Sequence, residues 1–170
     1  LKYLLFSSLA LGTYSLSALF RELAALDAIG FWLFAALNLP GTFLHELMHY
    51  LVALATGGDP ENFTIIPSGN SLGSVYARPS PWNAAMIGFA PLLLLPITVS
   101  FIVAAANAKT FKGLVLYVYL GACSWIAAMP SSQDLVFAMM HPISFIPAAL
   151  ILIPTILISG RIAMRFLDSR

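Results

Sequence analysis

Long apolar stretches alternate with short polar interruptions along this chain, and five such segments can be drawn. The first runs from Lys2 to Phe20 and is closed by Arg21, Glu22 and Asp27. A second spans Ile29 to Thr56, long for one crossing, with Asn38-Leu39-Pro40-Gly41 inside it. Proline beside glycine predicts a kink or break there, and Gly57-Gly58 predicts the stop. The third covers Trp82 to Ala106 with Pro91 and Pro96, and the fourth covers Gly113 to Met129, ended by Pro130. The last runs from Ile143 to Leu167 and contains Pro147 and Pro154. Each approaches or exceeds the roughly 20 residues needed to cross a hydrocarbon core. The expected fold is an all-α polytopic membrane protein of about five transmembrane helices, some broken, forming one domain over 1–170.

The one sizeable polar connection is "GGDPENFTIIPSGNSLGSVYARPSP". Phe63 to Ile66 and Gly73 to Tyr76 have strand-like composition around the turn residues Pro67-Ser68-Gly69-Asn70, which predicts a small β-hairpin at about 62–78, between the second and third spans. Short-loop Lys and Arg residues orient the bundle. With five crossings, Arg21, Lys109, Lys112, Arg161, Arg165 and Arg170 share one side, against Lys2 and Arg78 on the other. The C-terminus is then expected in the cytoplasm and the hairpin outside.

Composition sharpens this. Hydrophobic residues make up 60% of the chain and charged residues 9%, against about 25% charged in soluble domains. A net charge of +1 with no basic cluster excludes a nucleic-acid partner. Cys123 stands alone, which rules out an intrachain disulfide and a tetrathiolate metal site. The first span is too long for a secretory signal, lacks the small-residue cleavage pattern, and is expected to be retained. Trp32, Trp82 and Trp125 read as interfacial or lipid-facing anchors.

Against that background, His45-Glu46-Leu47-Met48-His49 stands out. On a helix over about 41–56, His45 and His49 are four residues apart and stack on one face, so both rings can reach one ion at about 2.0–2.1 Å. Glu46 leaves the helix about 100° from His45, beside the ion's open position. From there it can take a proton from water and pass it to a leaving amine, which is the mechanical content of H-E-x-x-H. Three His and three Glu in this chain would produce the pattern by chance about once in a thousand such sequences. A charged group at mid-membrane costs roughly 2.5–3.5 kcal/mol on insertion scales, and a bound cation offsets that. A catalytic ion needs a third protein ligand and an open position. Asp134 follows the Pro130 break, in a second motif at about 130–140. It reads as a ligand or as a first-turn carboxylate of a helix capped by Ser131 or Ser132. His141 is the rival ligand; it lies about 10 Å further along a helix, and the adjoining Pro142 suggests a helix end.

These residues resemble a known family. "PGTFLHELMHYLVALATGG" looks like the motif-bearing transmembrane helix of the site-2 protease family of intramembrane zinc metalloproteases, and "PSSQDL" resembles that family's second motif. The resemblance covers Pro40 to Met140. It implies His45, His49 and Asp134 as ligands of one catalytic Zn²⁺ and Glu46 as catalytic base, with membrane proteins or peptides in the lipid bilayer as substrates. Leu135 stands where the family often has glycine. "GFAPLLLLP" keeps Gly88 and Pro91 without a following asparagine. Ser131, Ser132 and Asn38 are the candidate oxyanion donors. The two backbone breaks are expected to line a polar cavity that admits water, and a hairpin edge to receive an unwound substrate by strand addition. A membrane zinc-binding or transport protein, or an idle relative that binds membrane proteins, is the alternative reading of the same residues.

Overall fold

The computed structural model describes residues 2–26, 28–68 and 71–169. Asp27, Arg170 and the expected turn residues Gly69 and Asn70 lie outside the described residues. The chain is mostly helical: α1 (Lys2–Leu26), α2 (Ala28–Leu37), α3 (Leu39–Ala55), α4 (Ala84–Gly88), α5 (Leu95–Ala106), α6 (Phe111–Ala128), α7 (Ser132–Met139) and α8 (Phe145–Asp168), with strands β1 (Glu61–Thr64) and β2 (Ser74–Tyr76). Short 3₁₀ turns occupy Ala90–Leu94 and Pro142–Ser144. Two helical stretches, Phe111–Met139 and Pro142–Asp168, are long and apolar enough to cross a membrane; Tyr3–Leu19 and Ala90–Ala106 are shorter apolar helices.

The breaks explain the shorter pieces. The Ile29 to Thr56 segment divides at Asn38 into α2 and α3, and Pro40 is tolerated because it falls in the first turn of α3, where its missing N–H would have no partner. The third apolar segment divides into α4, a 3₁₀ turn at Pro91, and α5. In α8, by contrast, Pro154 sits inside a continuous helix.

Contacts group the chain into two compact units. One gathers Leu1–Gly41, Leu95–Ile126 and Ile156–Arg170. In it α1 packs on α2 and α5, and the interior combines small or polar side chains such as Thr13, Ser17, Ala122 and Ser124 with the larger Phe34, Ile102 and Phe166. Tyr119 Oη donates to the Leu37 carbonyl at 2.6 Å, which satisfies a backbone acceptor at the α2 break. Small residues let helix backbones approach closely.

The other unit gathers Thr42–Leu94 and Ala127–Thr155. Its core joins α4, α7 and α8 through buried Ala85, Ala138 and Ala148, with Met86, Phe89 and Leu152 packed against them. Gly88 is required at one crossing, since a Cβ there would lie 2.5 Å from the Asp134 carbonyl oxygen and 2.9 Å from Ala138 Cβ. The end of α3 is a glycine stop: Gly57 adopts φ 71°, and the Gly58 N–H donates to the Ala53 carbonyl at 2.7 Å, the six-to-one bond of a Schellman turn.

The hairpin is antiparallel, pairing Glu61 with Tyr76 and Thr64 with Ser74. One side spans an extra residue, and Asn62, at φ 52°, absorbs it as a bulge. Phe63 packs edge-on against both Phe43 and Tyr50, each at 6.0 Å between ring centroids. Those two residues are two turns apart on α3, so the hairpin is pinned to the helix that carries the histidine motif.

Candidate metal centre

His45 and His49 lie mid-way along α3, and Asp134 enters from the first turn of α7, 85 residues on from His49. The three side chains converge. Asp134 Oδ2 is 3.3 Å from His45 Nε2, Asp134 Oδ1 is 3.1 Å from His49 Nε2, and the two Nε2 atoms are 3.1 Å apart. His49 is buried; His45 and Asp134 are partly exposed.

Each histidine is held from behind by a main-chain acceptor. His45 Nδ1–H donates to the Ala127 carbonyl at 2.8 Å, and His49 Nδ1–H donates to the Ile87 carbonyl at 2.7 Å. A carbonyl oxygen only accepts, so both Nδ1 atoms carry the proton, and in the neutral ring each Nε2 presents a lone pair. Both carbonyls belong to the last turns of helices, α6 and α4, where the regular backbone donors run out; Ile87 also accepts from a backbone N–H at the α4 cap. At Ala127 the reason is local, because the N–H four residues on, that of Ser131, donates to Asp134 Oδ2 instead; at Ile87 the fourth residue on is Pro91, which has no N–H. Backbone acceptors of this kind fix the orientation and tautomer of metal-binding imidazoles.

Asp134 is the first-turn carboxylate of a capped helix, and the same side chain faces both histidines. Ser131 caps α7: its Oγ accepts from the Asp134 N–H at 3.2 Å, and Asp134 Oδ2 accepts from the Ser131 N–H at 2.6 Å. This reciprocal capping box fixes the carboxylate while leaving both oxygens turned to the histidines.

Two imidazole nitrogens and a carboxylate thus face one point, an arrangement stabilised by a cation among them or by a proton on a ring Nε2. Donors about 2.0 Å from a tetrahedral ion lie about 3.3 Å apart, and the observed separations of 3.1, 3.1 and 3.3 Å match that spacing. His45, His49 and Asp134 can hold a metal ion.

Glu46 is outside this trio and buried beside it, 8% exposed. Its neighbour is the hairpin. A Cβ on Gly73 would lie 2.8 Å from Glu46 Cγ, 3.1 Å from Glu46 Oε1 and 2.8 Å from the Thr64 carbonyl oxygen, so only glycine lets β2 approach this carboxylate so closely. His141 is not brought to the cluster; its carbonyl accepts from Ser144 Oγ at 2.6 Å and from the Ser144 N–H at 3.0 Å, at the start of the 3₁₀ turn before α8. Of the candidate oxyanion donors, Ser131 is engaged in the α7 cap, Ser132 is exposed at the start of α7, and Asn38 is buried in the other unit.

The contributions of Ala127, Ile87 and Gly73 are not foreshadowed by side-chain chemistry. Pro91 was the one signal available, since a proline four residues on leaves the Ile87 carbonyl without its helical partner. Set against family models, curated proteins and solved structures, the chain matches none of them.

Proposed function

We propose that this chain is an intramembrane zinc endopeptidase that hydrolyses peptide bonds of membrane-associated proteins. The observation that carries the reading is the convergence of His45, His49 and Asp134, with Glu46 buried at its side. Two histidines and one carboxylate are the protein donors of a common catalytic zinc site, which keeps a position open. Zn²⁺ held by these three residues would supply Lewis acidity, which polarises a carbonyl and eases removal of a proton from water at neutral pH.

The chain's own groups do the rest. Glu46 leaves α3 one residue after His45, where its carboxylate takes the proton of the attacking water and hands it to the departing amine nitrogen. The carbonyls of Ala127 and Ile87 keep both Nε2 atoms aimed while charge builds up in the site. The Ser131 N–H does the same for Asp134. A two-stranded hairpin leaves one edge of each strand unpaired, and strand addition there would hold an unwound substrate extended beside Glu46.

Placement in the bilayer as a multi-pass protein is supported by the surface. Along α8, Ile146, Leu150, Ile153 and Leu157 are 66%, 73%, 56% and 58% exposed, forming an apolar stripe at helical spacing that water-soluble proteins seldom present.

The test is a cleavage assay on detergent-purified protein, using a reporter with an apolar segment of about 20 residues between fluorophore and quencher. Glu46→Gln is expected to retain one zinc per chain while cleavage falls by at least about 100-fold. Cleavage undiminished in that variant would remove Glu46 from the role.

A further inference from the structure

Thr42 stands in the first part of α3, 5% exposed, and its Oγ1 has no hydrogen-bond partner among the described residues. Among the described residues it shares this state with Thr13 Oγ1 and Asn38 Oδ1, and of the three it alone lies on α3 with the histidine motif. Thr56 donates to the Val52 carbonyl at 2.7 Å and Thr155 to the Ile151 carbonyl at 2.9 Å, each one turn back, the ordinary outlet for a hydroxyl in an apolar helix. A buried hydroxyl with neither that bond nor a side-chain partner carries an unmet demand for one.

Its position says what meets it. Thr42 is three residues before His45, four before Glu46 and seven before His49, so it shares their face of α3, about one turn toward the N-terminus. Peptide-bond hydrolysis consumes a water for every bond cut, and few groups on this face can hold one. A hydroxyl both donates and accepts, and a buried water needs at least two polar partners. Thr42 and Glu46, one helical turn apart, provide them.

We propose that Thr42 is a positioning residue that holds a water between its hydroxyl and the Glu46 carboxylate, supplying the hydrolytic site from the N-terminal side of α3. The proposal rests on the peptidase reading of the same centre. Thr42 touches no substrate atom; it acts through the water and Glu46.

Thr42→Val keeps the shape and removes the hydroxyl, while Thr42→Ser keeps the hydroxyl. In the reporter assay, Thr42→Val is expected to lower kcat about tenfold, the worth of about one good hydrogen bond, with KM and zinc content unchanged, and Thr42→Ser to restore kcat. Equal kcat in wild type and Thr42→Val would overturn the proposal, as would a loss of zinc in Thr42→Val or a serine variant no better than valine. A high-resolution map supplies a readout independent of catalysis. Solvent density within hydrogen-bond distance of both Thr42 Oγ1 and Glu46 supports the role, and a Thr42 hydroxyl turned to the main-chain carbonyl one turn back overturns it. If the wild type cuts no reporter, the peptidase reading fails by itself, and the map still decides whether Thr42 holds water.

Discussion

Asp134 closes a helix cap and faces two imidazoles with one carboxylate, and the two duties reinforce each other. The Ser131 cap turns a flexible side chain into a fixed one, so the histidines meet an acceptor already in place. Ser131→Ala removes the Oγ that accepts from Asp134 and is expected to cost α7 about 1 kcal/mol. Outer-shell losses weaken metal binding by about 10- to 100-fold, and competition against a chelator should place this variant at the lower end, because the Ser131 N–H remains. Ser131→Thr, which keeps a capping oxygen, should bind as wild type does. The motif histidines and Glu46 were legible because helical spacing converts a five-residue pattern into one face. The convergence of Asp134 on the histidines could be suspected from a charge within apolar flanks after a proline break. The Ile87 carbonyl had one signal, Pro91 four residues on, whereas that of Ala127 was illegible, since every residue has a carbonyl and only tertiary structure shows which one an imidazole reaches.

At the level of elements, α3 is the axis of the site and the hairpin is its wall. Phe63 wedged between Phe43 and Tyr50 sets the hairpin's height above the helix, and Gly73 lets the backbone come down onto Glu46. Gly73→Val should force either the carboxylate or the hairpin away. A displacement of about 1 Å at a reacting group costs about 100-fold in rate, so the variant is expected to lose about that much kcat while keeping its zinc, measured by cleavage beside metal analysis. The hairpin itself was legible from β-branched and aromatic residues around turn formers. Its strands begin and end earlier than composition suggested on the first side, at Glu61–Thr64 instead of Phe63 to Ile66, because the Asn62 bulge shifts the register. The break at Asn38 fell where Asn-Leu-Pro-Gly placed it. Pro154 broke nothing, since a continuous apolar helix can close around one missing donor.

For the molecule as a whole, the large apolar residues that stay exposed matter as much as the buried ones. The membrane-length stretches Phe111–Met139 and Pro142–Asp168 have only 33% and 17% of their apolar windows buried, so most of that apolar surface is exposed, as the proposed bilayer placement requires. The protein is therefore expected to stay in the membrane pellet through alkaline carbonate washing and to dissolve only with detergent; release by carbonate would contradict bilayer insertion. Helical class and apolar character were legible from composition. The number of full-length crossings was not, because prolines and an asparagine cut long apolar runs into pieces whose lengths depend on packing. The central claim is that two histidines of α3 and an aspartate of α7 share one divalent cation, and elemental analysis of purified protein tests it most directly. The account predicts one zinc per chain in the wild type and in Glu46→Gln, and loss of that zinc in His49→Ala and Asp134→Ala. A wild type without stoichiometric metal, or full occupancy in both of those variants, would contradict it.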